Sequence, residues 1–253
     1  MAEHCRELIE RAGSACVAAK PQLACFERLG APGADALRRT VATAHEAGLL
    51  VVADGKRADV PVTAAAYGQA LVGETPTPWG AVPGLGADAI TVNPLLGGDA
   101  LEPLLAAAEA AGAGIFALVR TSNPGAADLL DLPTAGAGGE GEGATAPLHE
   151  RIAALVSERS ERLAGSSGLS GMGAVVGATA PEFLGRLREL MPAAIFLVPG
   201  VGAQGGRVAN LAAAFARHPA SVLVAASRGI ASADDPAAAA ESMRAESWEL
   251  GAG

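Results

Sequence analysis

The chain has 253 residues, half of them apolar, and a formal charge of −9, which is typical of a globular protein and excludes a collagen-like or wholly disordered chain. The acidic charge and the dispersed arginines argue against a nucleic-acid partner, and the apolar runs are far shorter than the ~20 residues of a membrane helix. The three cysteines have no metal-ligand spacing and are too few for a disulfide framework, and the N-terminus has no signal-type apolar stretch. We therefore predict a cytoplasmic protein.

Apolar runs rich in β-branched residues alternate with helical stretches along the chain. A helix over 1–12 leads into the first of seven predicted strands. The strands are predicted over 15–19, 49–53, 89–92, 115–119, 173–176, 195–198 and 222–225, and the helices between them over 34–46, 62–71, 100–111, 149–163, 181–190 and 208–217. This alternation predicts right-handed parallel crossovers, and continuous apolar runs are typical of buried parallel strands.

Polar side chains follow the C-terminal ends of many of these strands, among them Lys20, Asp54, Lys56, Asn93, Ser122 and Arg228. This distribution favours an α/β (β/α)8 TIM barrel over a doubly wound sheet, in which the site lies at one switch point. Because seven strands are predicted and a helix opens the chain, we expect the first barrel strand to be lacking or shortened. We predict a single domain over 1–253, with the glycine-rich stretch at 128–146 as a mobile surface loop.

The two lysines of the chain, Lys20 and Lys56, both stand at strand ends. Lys56 lies in the stretch Asp54-Gly-Lys-Arg-Ala-Asp59, directly after a predicted strand. Asp54 and Lys56 would point the same way, since side chains repeat every two residues along a strand. An ammonium held by carboxylates can stabilise a carbanion or donate a proton to carbon. A salt-bridge network without a chemical role is the alternative.

A glycine-rich turn, Pro199-Gly-Val-Gly-Ala-Gln204-Gly205-Gly206, follows another buried strand. Such a turn can present backbone N–H groups to a phosphate. Arg228 stands at the end of the next predicted strand and would supply a bidentate partner for that phosphate. The alternative is a turn that serves tight packing only.

Five blocks of the sequence carry a resemblance, in the right order along the chain. They are Lys20-Pro21-Gln22 with Phe26-Glu27, Asp54-x-Lys56-x-x-Asp59-Val60-Pro61-x-Thr63, Ser122-Asn-Pro-Gly-Ala126, Val176-Gly-Ala-Thr-Ala-Pro-Glu182, and the 199–206 turn with Ser227-Arg228-Gly-Ile. Together they resemble the orotidine 5′-phosphate decarboxylase family, and the first and fourth resemble its bacterial type 2 subfamily. The resemblance implies decarboxylation of orotidine 5′-monophosphate to uridine 5′-monophosphate on a barrel, with no metal or organic cofactor.

The resemblance also implies catalytic roles. Lys56 would protonate C6 of the pyrimidine, flanked by Asp54 and Asp59, while Lys20 would hold Asp54 and contact the ribose. Type 2 members tend to carry Gly where this chain has Ala58, so a left-handed backbone at Ala58 would be strained.

Substrate binding and assembly are implied in the same way. The substrate-binding residues would be Val60, Thr63, Ser122, Pro199, Gln204, Gly205 and Arg228. Ser122 would bind the pyrimidine edge, and Gln204 and Arg228 the phosphate. Asp59, Val60 and Thr63 would reach the site of the partner subunit in a homodimer.

Two rival functions stay open. A metal-dependent sugar-phosphate aldolase or decarboxylase on the same barrel shares the Asp-x-Lys-x-x-Asp block. A non-catalytic nucleotide-binding barrel would fit a chain that lacks the first strand.

Overall fold

The computed structural model describes residues 1–135 and 145–252. The chain divides into two compact units. Unit 1 comprises Met1–Ile115 and Ile230–Arg244, and unit 2 comprises Phe116–Gly229 and the residues from Ala245 onward. The single domain expected over 1–253 stays a prediction.

Unit 1 alternates helices with short parallel strands. Its helices are α1 (Ala2–Ala12), α2 (Leu23–Glu27), α3 (Ala31–Glu46), α4 (Pro61–Leu71) and α5 (Gly98–Ala111). Its strands are β1 (Ala18–Ala19), β2 (Leu50–Arg57), the hairpin β3 (Glu74–Thr77) and β4 (Gly80–Pro83), and β5 (Ala89–Val92). β1, β2 and β5 pair in that order and in parallel, so their carboxyl ends lie at one edge of the sheet.

Unit 2 follows the same plan. Its parallel strands are β6 (Gly114–Arg120, whose first two residues belong to unit 1), β9 (Ser170–Val176), β10 (Ala194–Pro199) and β11 (Val222–Ala225), in the order β6-β9-β10-β11. The other elements are α6 (Ala127–Leu130), the hairpin β7 (Pro133–Ala135) and β8 (Thr145–Pro147), α7 (Leu148–Glu158), α8 (Leu184–Leu190) and α9 (Ala212–Phe215). Two helices, α10 (Arg228–Ala231) and α11 (Pro236–Ala252), contain residues of both units.

Local sequence signals set several element ends. Pro32 lies in the first turn of α3, where its fixed φ suits a helix and its missing N–H costs nothing. α5 ends at Gly112 in the left-handed conformation that glycine adopts without strain. Within α4, Gly68 allows a close approach to α5, because a Cβ there would lie 2.7 Å from Ala107 Cβ. The apolar side chains of the strands form the core of each unit, with all four residues of β5 buried.

An arginine is buried at the start of β10. Arg188 of α8 is 1% exposed. Its guanidinium donates to the carbonyl oxygens of Ala214, Met191, Ala194 and Ser221, at 2.7–3.2 Å. Burial lowers the pKa of Arg188 to about 10. The guanidinium therefore stays charged at neutral pH, with backbone dipoles in place of water. It joins α8 and α9 to the residues that begin β10 and precede β11.

Each of the seven predicted strands corresponds to a parallel strand of the structure. β1 is shorter than expected and comprises only Ala18–Ala19, and the first predicted strand residue, Ala15, belongs to the 3₁₀ turn Gly13–Ala15. The sequence patterns did not predict the two antiparallel hairpins or the helices α2, α6, α10 and α11. The predicted loop at 128–146 has structured ends, in α6, β7 and β8. The centre of that loop, 136–144, lies outside the described residues, so its mobility stays a prediction.

Candidate active site

A buried carboxylate on β2 collects three hydrogen-bond donors in unit 1. Asp54 is 4% exposed. Its Oδ2 accepts from Lys20 Nζ at 2.6 Å, and its Oδ1 accepts both from Lys56 Nζ and, at 2.9 Å, from Thr91 Oγ1. The expected meeting of Asp54 and Lys56 is therefore observed. We call Lys20, Asp54, Lys56 and Thr91 the lysine–carboxylate cluster.

The cluster keeps Asp54 ionised. Burial raises the pKa of Asp54 and is the largest single influence, but the charges and hydrogen bonds of Lys20 and Lys56 together outweigh it. The pKa of Asp54 is consequently held below its usual value. At neutral pH both ammonium groups thus lie beside a full negative charge, which restricts where each of them can move.

The residues after β1, Lys20-Pro21-Gln22, continue to pair with the backbone of β2. The N–H of Asp54 donates to Pro21 O at 3.0 Å, and Gln22 Nε2 donates to Asp54 O at 3.3 Å. Pro21 lacks an N–H, but here only its carbonyl is needed. The segment therefore runs along β2 and brings Lys20 to the Asp54 carboxylate.

Lys56 has a left-handed backbone. Its φ is +49°, and it is the one non-glycine residue with positive φ in 1–135 and 145–252. Such a conformation costs about 1–3 kcal/mol and often marks functional positions. Ala58, where strain was a concern, has no positive φ, so the replacement of glycine there is accommodated. The left-handed position belongs to the lysine itself.

Neighbouring side chains hold the remainder of this stretch. Arg57 forms an ion pair with Glu27 of α2 and lies 5.4 Å from the ring centroid of Tyr67 on α4. Glu27 belongs to the first of the five blocks that carry the family resemblance, and in the structure its carboxylate pairs with Arg57. Arg57 thereby ties β2 to the two helices around it, next to Lys56.

Asp59 does not join the cluster within its own chain. Its Oδ1 accepts from the N–H of Val60 at 2.7 Å, and no described side chain pairs with its carboxylate. α4 begins directly afterwards at Pro61. Val60 and Val62 are 56% and 85% exposed, and Thr63 is half-buried. These residues form an exposed, partly apolar surface at the start of α4.

In unit 2, Ser122 is fixed from several sides just after β6. Its Oγ donates to Gln204 Oε1 at 2.7 Å, and its carbonyl oxygen accepts from Thr179 Oγ1 at 2.8 Å. Gly177 and Gly200 allow this packing, since a Cβ on Gly177 would lie 2.6 Å from Ser122 Cα and one on Gly200 would lie 3.0 Å from Ser122 Cβ. The Val176–Glu182 and 199–206 blocks thus both serve to place Ser122.

Several backbone N–H groups of the glycine-rich turn donate to carbonyl oxygens of the same turn. Gly200, Gly202 and Gly205 have φ of 103°, 77° and 91°. The N–H of Gly205 donates to Gly202 O at 2.8 Å, and those of Gly202 and Gly206 also bond within the turn. The turn is therefore internally braced. An anion at this turn would therefore have to use its other N–H groups and side chains such as Gln204.

Arg228 lies at the start of α10, after β11, and is exposed. Among the described residues no carboxylate pairs with it. An arginine without a protein counter-charge is available to an incoming anion. Pro199, at the end of β10, pairs in register with Ala225 of β11.

The sequence patterns did not predict a charged network of Arg120, Asp131 and His149, which lies directly before Ser122 at the end of β6. Arg120, the last residue of β6, donates from Nε and Nη2 to the two oxygens of Asp131 and from Nη1 to Thr121 O at 2.7 Å. His149 contacts Asp131 Oδ1 through Nδ1, and the hydrogen bond to Arg120 is the main reason that the pKa of Asp131 is lowered. The available signal was an arginine at the end of an apolar strand, directly before the Ser122 block.

Within the described ranges, no three His, Cys, Asp or Glu side chains come together as a metal site. In the same ranges no helix is long and apolar enough to span a bilayer.

Comparison with known proteins places this geometry in a family. The family model described as "Orotidine 5'-phosphate decarboxylase / HUMPS family" matches residues 1–243. Orotidine 5′-phosphate decarboxylase from Rhodopirellula baltica is 41% identical over 90% of this chain and 72% of that protein. The enzyme from Deinococcus radiodurans is 42% identical over 86% of this chain and 71% of that protein.

Solved structures of similar proteins indicate the same family. The OMP decarboxylase of Leishmania donovani superposes with a TM-score of 0.76 and 33% identity over 100% of this chain and 88% of that chain. A Streptomyces avermitilis protein assigned provisionally to the same enzyme gives a TM-score of 0.82 and 32% identity, over 100% of this chain and 83% of that chain. These similarities confirm the predicted α/β fold of the TIM-barrel type. With a family model that covers almost the whole chain, and relatives above 40% identity, the chain belongs to the orotidine 5′-phosphate decarboxylase / HUMPS family.

Proposed function

We propose that Lys56 delivers a proton to C6 of the pyrimidine when orotidine 5′-monophosphate is decarboxylated to uridine 5′-monophosphate. Family membership and the named relatives establish the decarboxylation, which belongs to pyrimidine synthesis. The observation that carries the role of Lys56 is the convergence of both lysines on one buried carboxylate. The Lys56 side chain is still 42% exposed, so a bound substrate can reach its ammonium.

The reaction breaks the bond between C6 and the carboxylate carbon. CO2 leaves, and the electron pair stays at C6. The Lys56 ammonium stabilises this charge and then transfers one N–H proton to C6, after which the neutral amine regains a proton from water. Asp54 holds the ammonium beforehand, so little reorganisation is needed when the charge develops. Lys20 holds the other oxygen of Asp54 and contacts the ribose in this scheme.

The substrate-binding roles in unit 2 are proposals as well. Ser122 binds the pyrimidine edge, and its support by Gln204 and Thr179 favours that role, because a fixed hydroxyl loses little entropy on binding. Gln204 and Arg228 bind the phosphate. Pro199, which has no N–H, and Gly205, whose N–H donates to Gly202 O, shape the turn around the substrate. Arg228 is supported by its exposed position and by the lack of a carboxylate partner among the described residues.

We further infer that the chain belongs to the type 2 bacterial subfamily. The support is Lys20-Pro21-Gln22 with Phe26-Glu27. In this fold Lys20 binds Asp54, Gln22 lies against the Asp54 backbone, and Glu27 pairs with Arg57.

The direct test is an assay of the purified chain with orotidine 5′-monophosphate in excess chelator. We expect uridine 5′-monophosphate and CO2 in equal amounts, and no change when the chelator is omitted. Activity that is lost in chelator and restored by a divalent cation would favour the metal-dependent alternative. Binding of uridine 5′-monophosphate without any turnover would instead favour the non-catalytic barrel.

We also propose a homodimer in which Asp59, with Val60 and Thr63, completes the site of the partner subunit. Two observations support it: no hydrogen bond or ion pair joins the described Asp59 and Lys56 within one chain, and Val60 and Val62 are exposed apolar side chains beside Asp59. A two-fold interface would bury these valines, and each subunit would offer its Asp59 to the other.

Mixing two inactive variants tests this arrangement. Lys56→Ala and Asp59→Ala subunits should complement each other, because one site of a mixed dimer collects both defects and the other is intact. With random exchange about half of the dimers are mixed, so about a quarter of the wild-type activity should return. Exchange would be verified by mass spectrometry of differently tagged subunits. If exchange is complete and no activity returns, Asp59 serves its own subunit.

A further inference from the structure

The pairing of β2 with β5 is interrupted opposite one residue, Thr91. Ala53 pairs with Ile90 and Arg57 pairs with Val92. Four residue steps along β2 thus match two along β5, so β2 carries two extra residues at this point. The bulge contains Asp54, Gly55 and Lys56, and Thr91 is the residue of β5 that faces it. Bulges of this kind redirect side chains and are frequent next to active sites.

The bulge leaves the N–H of Lys56 without a backbone acceptor on β5, and Thr91 supplies one. Lys56 N donates to Thr91 Oγ1 at 2.9 Å, and Thr91 Oγ1 donates to Asp54 Oδ1 at 2.9 Å. A hydroxyl has one hydrogen, so the bond to Asp54 fixes its direction and turns a lone pair towards Lys56. Thr91 is 1% exposed, which excludes water as a ready substitute.

These bonds close a ring through both ends of Lys56. From its backbone N–H the ring runs to Thr91 Oγ1, then to Asp54 Oδ1, and returns to the Lys56 ammonium. The left-handed backbone of Lys56 lies within this ring. Resting on the proposed role of Lys56, we propose that Thr91 is a positioning residue that holds Lys56 in its left-handed conformation and aims its ammonium.

Substitutions at Thr91 separate its hydroxyl from its methyl group. Thr91→Ser keeps the hydroxyl, Thr91→Ala removes both, and Thr91→Val keeps the shape but leaves the Lys56 N–H and an Asp54 lone pair without partners. We expect Thr91→Val and Thr91→Ala to lower kcat at least tenfold with a smaller change in KM, and Thr91→Ser to retain most of the activity. A crystal structure of Thr91→Val should show Lys56 outside the left-handed region.

The matched control is Thr40→Val in unit 1. Thr40 is also buried, at 5% exposure, but its hydroxyl donates to Ala36 O within α3. Thr40→Val should lower the melting temperature about as much as Thr91→Val and leave kcat unchanged.

The outcomes distinguish the two proposals. If Lys56→Ala is inactive but Thr91→Val behaves like Thr40→Val, Thr91 is structural and only this inference fails. If Lys56→Ala keeps its activity, the proposed role of Lys56 fails. Should Thr91→Val not fold, the Ser and Ala variants decide, because both lack the methyl group: equal activity in that pair would overturn the positioning role.

Discussion

Replacing Lys56 by Ala should lower kcat by about a thousandfold, which is within the usual range for the loss of a positioned general acid. The variant should still bind uridine 5′-monophosphate, because Lys56 is proposed to act on C6 rather than on the phosphate. Steady-state kinetics and titration calorimetry would measure the two effects separately.

The control for this experiment is Arg11→Ala. Arg11 is an exposed cation of α1 that contacts the carbonyl of Asp234, so its loss changes the net charge by the same amount without touching the cluster. A loss of less than about tenfold for Lys56→Ala, or ~1.4 kcal/mol, would show that Lys56 is not the proton donor.

The second large effect is expected at Arg228. Arg228→Ala should lower kcat/KM by about a hundredfold, or ~3 kcal/mol, because a charge-assisted contact to the substrate phosphate is lost. Orotidine, which lacks the phosphate, should be turned over equally slowly by the wild type and by the variant. Measuring both substrates with both proteins isolates the contact between arginine and phosphate.

Arg217→Ala is the matched control, since Arg217 is an exposed arginine of unit 2, after α9, with no proposed role. It should leave both substrates unaffected. Equal losses for the two substrates in Arg228→Ala would contradict a phosphate contact and indicate a structural role.

The parallel strands could be predicted because buried strands are continuous apolar runs, and such runs are visible in a sequence. β5, with four buried residues, is an example. The start of α11 has a recognisable sequence signal: Asp235 caps the helix by accepting from the N–H groups of Ala237 and Ala238, and Pro236 is its first residue. The hairpin β3–β4 carries no apolar alternation, and its residues are mostly exposed.

The site shows where sequence reasoning reaches its limit. The proximity of Asp54 and Lys56 was predicted from regular strand alternation, but in the structure it depends on a bulge and on a left-handed lysine. Thr91 gave no signal, because a threonine inside Ala-Ile-Thr-Val is an ordinary strand residue. Its role depends on which residues of β2 lie opposite it, and that register is set by tertiary pairing.

The convergence of Lys20 and Lys56 on Asp54 has a consequence for amine chemistry. Because these are the two lysines of the chain, every side-chain primary amine of the protein binds the same carboxylate. Acylation or reductive alkylation of lysine would therefore modify this cluster and leave the other cationic side chains, all arginine or histidine, unchanged. Apart from the N-terminal amine, an amine-selective reagent would therefore label only the two lysines that bind Asp54.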